Sequence, residues 1–135
     1  MQPRRSATAL ILAAVIGIGG LSACSGGSDA VTAVAPSDAV AVLAEPGAAV
    51  LDVRTPAEFA TGHLAGAVNV DIEGGEFDQR VADLPKDTTY VVYCRSGNRS
   101  GVATKQLAEL GFTDVYDVQG GIVAWQAGGG AVVTD

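Results

Sequence analysis

The chain has 135 residues, 48% of them hydrophobic, and carries a net charge of −7 at pH 7. That length fits one compact domain with its own apolar core, and two domains would be cramped. The acidic balance leaves no basic stripe that could neutralise phosphates, so nucleic acid is not an expected partner.

The first 23 residues have the layout of a bacterial secretory signal. Arg4 and Arg5 form a positive segment, and the apolar run ATALILAAVIGIGG follows it. The stretch LSAC, which ends at Cys24, resembles the lipobox at which bacterial lipoproteins are lipidated and cut. This resemblance implies a signal peptide over residues 1–23, a lipid anchor on Cys24 and an extracytoplasmic position on the bacterial cell membrane. The alternatives are an uncleaved transmembrane anchor and a periplasmic protein.

The chain contains two cysteines, and they have different expected roles. Lipidation would consume the thiol of Cys24, which leaves Cys94 as the only thiol of the mature protein. A disulfide framework and a cysteine-based zinc site are then excluded, and we expect neither a metal nor a cofactor.

Elements can be predicted in chain order after the signal. Residues 24–36 are small and polar and end in proline, which predicts a flexible linker, with the domain over residues 37–130 and a tail over 131–135. Ser37 is expected to cap a helix that ends at Pro46. The run AAVLDV (48–53) predicts a buried strand. Thr55 and Glu58 flank Pro56 in the pattern of a capping box, which predicts a short helix ending near Gly62.

The alternation of strand and helix continues to the end of the chain. AVNV (67–70), TTYVVY (88–93) and DVYDV (114–118) predict strands, and EFDQRVADL (76–84) a weak helix. SGVATKQLAELG (100–111) predicts a longer helix with Val102 on its apolar face, and GGIVAWQ a closing helical turn. These elements predict an α/β domain with a mostly parallel sheet, which binds ligands beyond the carboxyl ends of its strands.

Cys94 lies at that edge of the predicted sheet, between a strand and the long helix. One interpretation is a small, buried and inert side chain. The other is a nucleophile held as thiolate, because the loop from Arg95 to Arg99 contains Gly97 and can turn its N–H groups toward an anion. The helix N-terminus and the arginines add positive charge, and such surroundings lower the pKa of a thiol. We therefore predict a nucleophile, and His63, the only histidine, is expected to lie in a turn without a catalytic role.

Three segments resemble, in the same order, the motifs of the single-domain rhodanese (thiosulfate sulfurtransferase) family. They are LDVRTPAEFATGHLAGAVNV (51–70), CRSGNRS (94–100) and GGIVAW (120–125). The resemblance implies one five-stranded, mostly parallel sheet flanked by helices, and a catalytic Cys94 that accepts a sulfane sulfur as a persulfide. It further implies that the loop and the start of the next helix hold the substrate, through Arg95, Ser96, Gly97, Asn98, Arg99 and Ser100. Arg95 or Arg99 would bind the anion, and Asp52 and Arg54 would form a structural pair near the site.

The resemblance also implies the partners. Thiosulfate or a persulfide would donate the sulfur, and cyanide, a thiol or a protein would accept it. In related cysteine phosphatases the active-site loop resembles this one but has five residues between its Cys and its Arg. Here four residues separate Cys94 from Arg99, and the shorter loop suits a single sulfur atom. The alternatives are a membrane-tethered module that binds an anion or a partner without turnover, and a small cysteine phosphatase.

Overall fold

The computed structural model describes residues 29–135. The predicted signal peptide (1–23), Cys24 and residues 25–28 of the predicted linker lie outside the described residues. Within the described part, no helix is long and apolar enough to cross a membrane.

Strands and helices alternate along residues 29–135. The strands are β1 (Val31–Val34), β2 (Ala49–Asp52), β3 (Val68–Asn69), β4 (Tyr90–Tyr93) and β5 (Val115–Val118). The helices are α1 (Pro36–Leu43), α2 (Pro56–Thr61), α3 (Phe77–Val81), α4 (Asn98–Glu109) and α5 (Gly121–Ala127). The strands form one sheet in the order β1-β5-β4-β2-β3, and every pairing is parallel. The predicted α/β class is therefore confirmed, as is the five-stranded sheet that the family resemblance implies.

The sheet begins earlier in the chain than the sequence predicts. Residues 31–34, which we assigned to a flexible linker, form β1 and pair along their whole length with β5. The Val115 N–H donates to the Ala30 carbonyl and the Gln119 N–H donates to the Val34 carbonyl, each at 2.9 Å. β1 thus satisfies backbone groups of β5 that would otherwise lie at an open sheet edge. The prediction of a flexible linker was therefore wrong for residues 31–34, which belong to the sheet.

The two predicted helix starts have different outcomes. At α1, Ala35 is the N-cap, Pro36 is the first helical residue and no side chain caps the helix, so the predicted Ser37 cap is absent. Proline is suited to that first position because its fixed φ is helical and its missing N–H would be unpaired there anyway. At α2, Thr55 and Glu58 form the predicted capping box.

Helices cover both faces of the sheet, and α4 lies on the same face as Cys94. Val92 and Cys94 pack in one apolar cluster with Ala103 and Leu107 of α4. The buried face of this helix differs from the predicted one, because Val102 is 60% exposed. The face that turns inward is Ser100, Ala103, Thr104, Leu107 and Ala108. Small and hydroxyl side chains occupy the N-terminal part of that face, where α4 meets Cys94, so hydrophobicity alone misplaced Val102.

Candidate active site

The loop after β4 is a tight turn of three residues. Cys94 follows the last residue of the strand. Gly97 takes a left-handed backbone conformation with φ 104°, which residues other than glycine rarely adopt. This turn lets α4 begin at Asn98, two residues before the predicted start at Ser100. Ser100 therefore lies in the first turn of the helix, and its hydroxyl faces the loop.

The Cys94 sulfur lies inside this turn. The Gly97 N–H donates to Sγ at 3.1 Å, and the Ser100 Oγ lies 3.5 Å from Sγ. Cys94 is only 1% exposed, so a sulfur donor must enter the loop to reach it. The structure thus combines the two interpretations of the sequence: the side chain is buried, and it is surrounded by hydrogen-bond donors.

The surroundings of Cys94 favour its thiolate. Burial favours the neutral thiol, but hydrogen bonds from the Ser100 side chain and from the N–H groups of Ser100, Gly97 and Ser96 together outweigh it. The pKa of Cys94 is therefore below the ordinary value of a cysteine. Such a thiolate is the reactive form of the side chain and needs no general base.

Helix α5 holds the back of the loop, a role that the sequence analysis missed. The Ile122 N–H donates to the Cys94 carbonyl at 2.9 Å, and the Val123 N–H donates to the Arg95 carbonyl at 3.2 Å. Gly121 makes this approach possible, because a Cβ there would overlap the Cys94 carbonyl oxygen and the Arg95 backbone. The loop carbonyls thus point toward α5, which leaves the N–H groups to face the sulfur. The Gly-Gly pair in GGIVAW was the available signal.

The two loop arginines have different surroundings. The Arg99 guanidinium donates to Glu58 through Nη1 at 2.7 Å and through Nη2 at 2.8 Å, and lies 3.4 Å from Glu73. Those hydrogen bonds from Arg99, opposed by burial and assisted by Thr55, lower the pKa of Glu58 to about 2. Arg95 is exposed and has no ion pair within residues 29–135. Of the two candidates for anion binding, Arg99 is already paired with a carboxylate, whereas Arg95 has no such partner among the described residues.

Among the remaining loop residues, Ser96 contributes its backbone N–H to the site. Ser96 and Asn98 are exposed, and the Ser96 N–H is among the donors that lower the pKa of Cys94.

His63 lies elsewhere, with Nδ1 2.9 Å from the Phe59 carbonyl and its ring stacked on that of Phe59.

Asp52 and Arg54 form a buried ion pair beside the site. Their side chains meet at 2.6 Å, and the Arg54 Nη2 also donates to the Gly62 carbonyl at 2.7 Å. The Tyr93 hydroxyl donates to Asp52 at 2.6 Å, which ties the network to the residue before Cys94. Asn69 donates to the carbonyls of Asp52 and Arg54 and fixes the end of β2. The network supports the strand from which the loop departs.

Comparison with known proteins identifies the family to which this fold and loop belong. The model of the rhodanese-like domain matches residues 35–128. The thiosulfate sulfurtransferase GlpE of Pseudomonas putida is 39% identical over 94 residues, which are 70% of this chain and 84% of that protein. The chain therefore belongs to the rhodanese-like family.

Two further relatives agree with this assignment. A sulfurtransferase of Allochromatium vinosum is 39% identical over 83 residues, which are 62% of this chain and 76% of that protein. The crystal structure of a rhodanese-related protein from Thermoplasma volcanium is similar with a TM-score of 0.68 at 34% identity, over 76% of this chain and 98% of that one.

Proposed function

We propose that the protein is a sulfurtransferase that moves a sulfane sulfur from thiosulfate, or from a persulfide donor, to a thiophilic acceptor through a persulfide on Cys94. The observation that carries this proposal is the position of the Cys94 Sγ, which lies at the carboxyl end of β4 and is enclosed by backbone N–H groups. These donors help to lower the pKa of the Cys94 thiol. The similarity to the thiosulfate sulfurtransferase GlpE supports thiosulfate as the donor.

The first half-reaction follows from these contacts. The Cys94 thiolate attacks the outer sulfur of thiosulfate, an S–S bond forms, and the bond between the two sulfurs of thiosulfate breaks. Its electron pair leaves with sulfite, so the charge stays balanced: a thiolate and a dianion become a persulfide anion and a dianion. The N–H groups that face Sγ then stabilise the terminal sulfur, which carries the negative charge.

The second half-reaction regenerates the thiolate. Cyanide or a thiolate attacks the terminal sulfur and leaves as thiocyanate or as a new persulfide, and the electron pair of the broken S–S bond returns to Cys94. The acceptor can be a small molecule or a protein. Because one product leaves before the second substrate reacts, the kinetics are ping-pong.

The arginine contacts favour this chemistry over phosphate hydrolysis. Arg99 closes the Cys-four-residue-Arg pattern, but its guanidinium is neutralised by Glu58. A phosphate oxyanion would have to compete with Glu58 for this guanidinium, whereas the small turn of Arg95 to Gly97 leaves donors for a single sulfur.

Steady-state kinetics with thiosulfate and cyanide test the proposal. We expect thiocyanate and sulfite in equal amounts, parallel double-reciprocal lines and no turnover by Cys94→Ser. Hydrolysis of an aryl phosphate without sulfur transfer would instead assign a phosphatase. Binding of thiosulfate without any turnover would assign a non-catalytic module.

We further propose that the domain is anchored by a lipid on Cys24, on the extracytoplasmic face of the bacterial cell membrane. The lipobox-like stretch LSAC supports this, and so does the short distance to the fold, since six residues (25–30) separate Cys24 from β1. All strands are parallel, so the chain enters β1 at the amino ends of the strands. Cys94 lies at the opposite, carboxyl ends. The anchor would then leave the Cys94 loop on the side away from the membrane.

Membrane fractionation and mass spectrometry of the mature N-terminus test this anchor. We expect a diacylated or triacylated Cys24 as the first residue, and a Cys24→Ser variant that is no longer processed there. An intact Met1 with unchanged fractionation of the variant would show that the anchor is an uncleaved segment. Release with the soluble periplasmic fraction would show that there is no anchor.

A further inference from the structure

Helix α5, which holds the Cys94 loop through its first N–H groups, is short and has glycines at both ends. Gly120 and Gly121 lie at its start with φ 74° and 59°, and glycines 128–130 follow it. A helix of seven residues is too short to be stable alone, and flanking glycines leave its direction free. The position of α5 therefore depends on what it packs against.

The two ends of this helix have different surroundings. Ile122 in the first turn is buried in the core, whereas the last turn borders an open groove beside the start of α1. Pro36 and Val40 line this groove from α1, and Trp125 lines it from α5. Packing against α1 therefore leaves one side of Trp125 unfilled and does not by itself fix the last turn.

Residues 130–133, which we call the strap, fold back over Trp125. The Trp125 Nε1–H donates to the Ala131 carbonyl at 2.9 Å, and the Gly130 N–H donates to the Trp125 carbonyl at 2.8 Å. Gly130 lies so close to the indole that a Cβ there would overlap the ring. Val132 and Trp125 pack against the same apolar cluster. The strap thus holds both the ring and the backbone of Trp125.

The other end of the strap is attached to the turn at His63. The Val133 N–H donates to the His63 carbonyl at 2.8 Å, and the His63 N–H donates to the Val133 carbonyl at 2.9 Å. His63 is only 3% exposed, and the N–H of its neighbour Leu64 donates to the Tyr93 hydroxyl at 3.0 Å. This attachment point is therefore fixed to β4, the strand that leads to Cys94.

We propose that the strap positions the active-site loop by holding α5 in place, with Trp125 as the positioning residue. While α5 is held, its N–H groups occupy the carbonyls of Cys94 and Arg95, and the loop N–H groups face Sγ. When the strap is released, α5 turns on its glycines and the loop carbonyls lose their donors. Fewer N–H groups then face the sulfur, which disfavours the thiolate. That the same donors support a persulfide rests on the proposed function, whereas the effect on the thiol does not.

The test is the rate of alkylation of Cys94 by iodoacetamide as a function of pH, followed on the Cys94 peptide by mass spectrometry. It needs no sulfur donor and is readable even if the protein transfers no sulfur. Gly130→Ala forces the strap off the indole, because the new methyl group overlaps the ring. We expect the apparent pKa of the thiol to rise by about one unit, which leaves up to about tenfold less thiolate below that pKa.

The matched control is Gly74→Ala. Neither Gly130 nor Gly74 has a positive φ, and a Cβ on Gly74 would make only ordinary contacts with Asp71, at 3.5 Å or more. The control should leave the pH profile unchanged. A strap that serves stability alone would lower the free energy of unfolding in Gly130→Ala without moving the thiol pKa, and that result would overturn the proposal.

A second variant breaks the strap at its far end. Val133→Pro removes the N–H that donates to the His63 carbonyl, and we expect it to raise the thiol pKa in the same direction as Gly130→Ala. A shift in Gly130→Ala without one in Val133→Pro would show that only the packing of the indole matters, which would overturn the role of the strap. If either variant does not fold, Trp125→Phe takes its place. It keeps an aromatic ring and loses the donor to Ala131, so a smaller rise is expected and no rise would overturn the proposal.

Discussion

Arg99 and Glu58, 41 residues apart in the chain, are joined by two parallel hydrogen bonds of 2.7 and 2.8 Å. The same Glu58 carboxylate accepts the Thr55 N–H at 3.2 Å, so one side chain both closes the capping box of α2 and holds the first turn of α4. The pair thus attaches the active-site loop to a neighbouring helix. Both terminal nitrogens of the Arg99 guanidinium therefore already donate to a carboxylate within the protein.

Glu58→Gln should lower the free energy of unfolding in a pH-dependent way. The carboxyl pKa is lowered from 4.5 to about 2 in the folded protein, so its ionisation stabilises the fold above pH 4.5. That contribution is lost as the pH falls from about 4.5 to about 2. Urea unfolding of the wild type and the variant should therefore differ at pH 6 and converge near pH 2.

The matched control for Glu58 is Glu109→Gln, on the exposed end of α4. Glu109→Gln removes the same charge as Glu58→Gln. In Glu58→Gln the side-chain amide retains an acceptor for the α2 cap. A difference between wild type and Glu58→Gln that persists unchanged at pH 2 would show that the ion pair is not its source.

Arg95→Ala should weaken binding of thiosulfate while the fold stays intact. Arg95 is exposed and unpaired within the described part of the chain, and one charge-assisted hydrogen bond to an anion is worth about 1.5–3 kcal/mol. We expect KM for thiosulfate to rise tenfold or more in low salt, with a smaller salt dependence than in the wild type. Unchanged KM in Arg95→Ala, together with a raised KM in Arg99→Lys, would assign the anion to Arg99 instead.

Local patterns in the sequence predicted most of the fold, because their physical causes are local. The capping box at Thr55 and the β-branched run before Cys94 lie within a few residues of the structure that they determine. The segment VTAV offered no such signal, because what makes it a strand is the open edge of β5, more than 80 residues later.

The same distinction holds within the site. The sequence predicted the turn around Cys94 and its N–H donors, which follow from a glycine between a strand and a helix. It predicted neither the Glu58 partner of Arg99 nor the approach of Gly121 to the loop, since both depend on which elements the sheet order brings together.

Gly121→Ala should displace the loop, because the new methyl group would overlap the Cys94 carbonyl. Gly121 also has φ 59°, and left-handed backbone alone costs an alanine roughly 1–2 kcal/mol. We expect a larger loss in the free energy of unfolding, together with slower alkylation of Cys94. Gly47→Ala is the control, since Gly47 has φ 85° with no atom within 4 Å of its Cβ position. Equal losses in the two variants would show that the contact with the loop is unimportant.

Asp52→Asn should destabilise the fold without touching the chemistry. It leaves the Arg54 guanidinium, in a residue that is only 4% exposed, without its counter-charge. Breaking a buried pair in this way costs about 3–5 kcal/mol, to be measured by urea unfolding. At a temperature where the variant is folded, its sulfur transfer should stay within about threefold of wild type. That limit corresponds to less than about 1 kcal/mol in the activation barrier, since 1 kcal/mol is about fivefold in rate. A folded variant that has lost all transfer would show that the carboxylate acts in catalysis.

The most direct test of the central claim is the intact mass of the reduced protein after incubation with thiosulfate and removal of excess reagent. We expect the wild type to gain the mass of one sulfur atom, located on Cys94 by fragmentation, and to lose it when cyanide is added, while Cys94→Ser gains nothing. A folded wild-type protein that gains no sulfur from thiosulfate or from any persulfide donor would contradict the account.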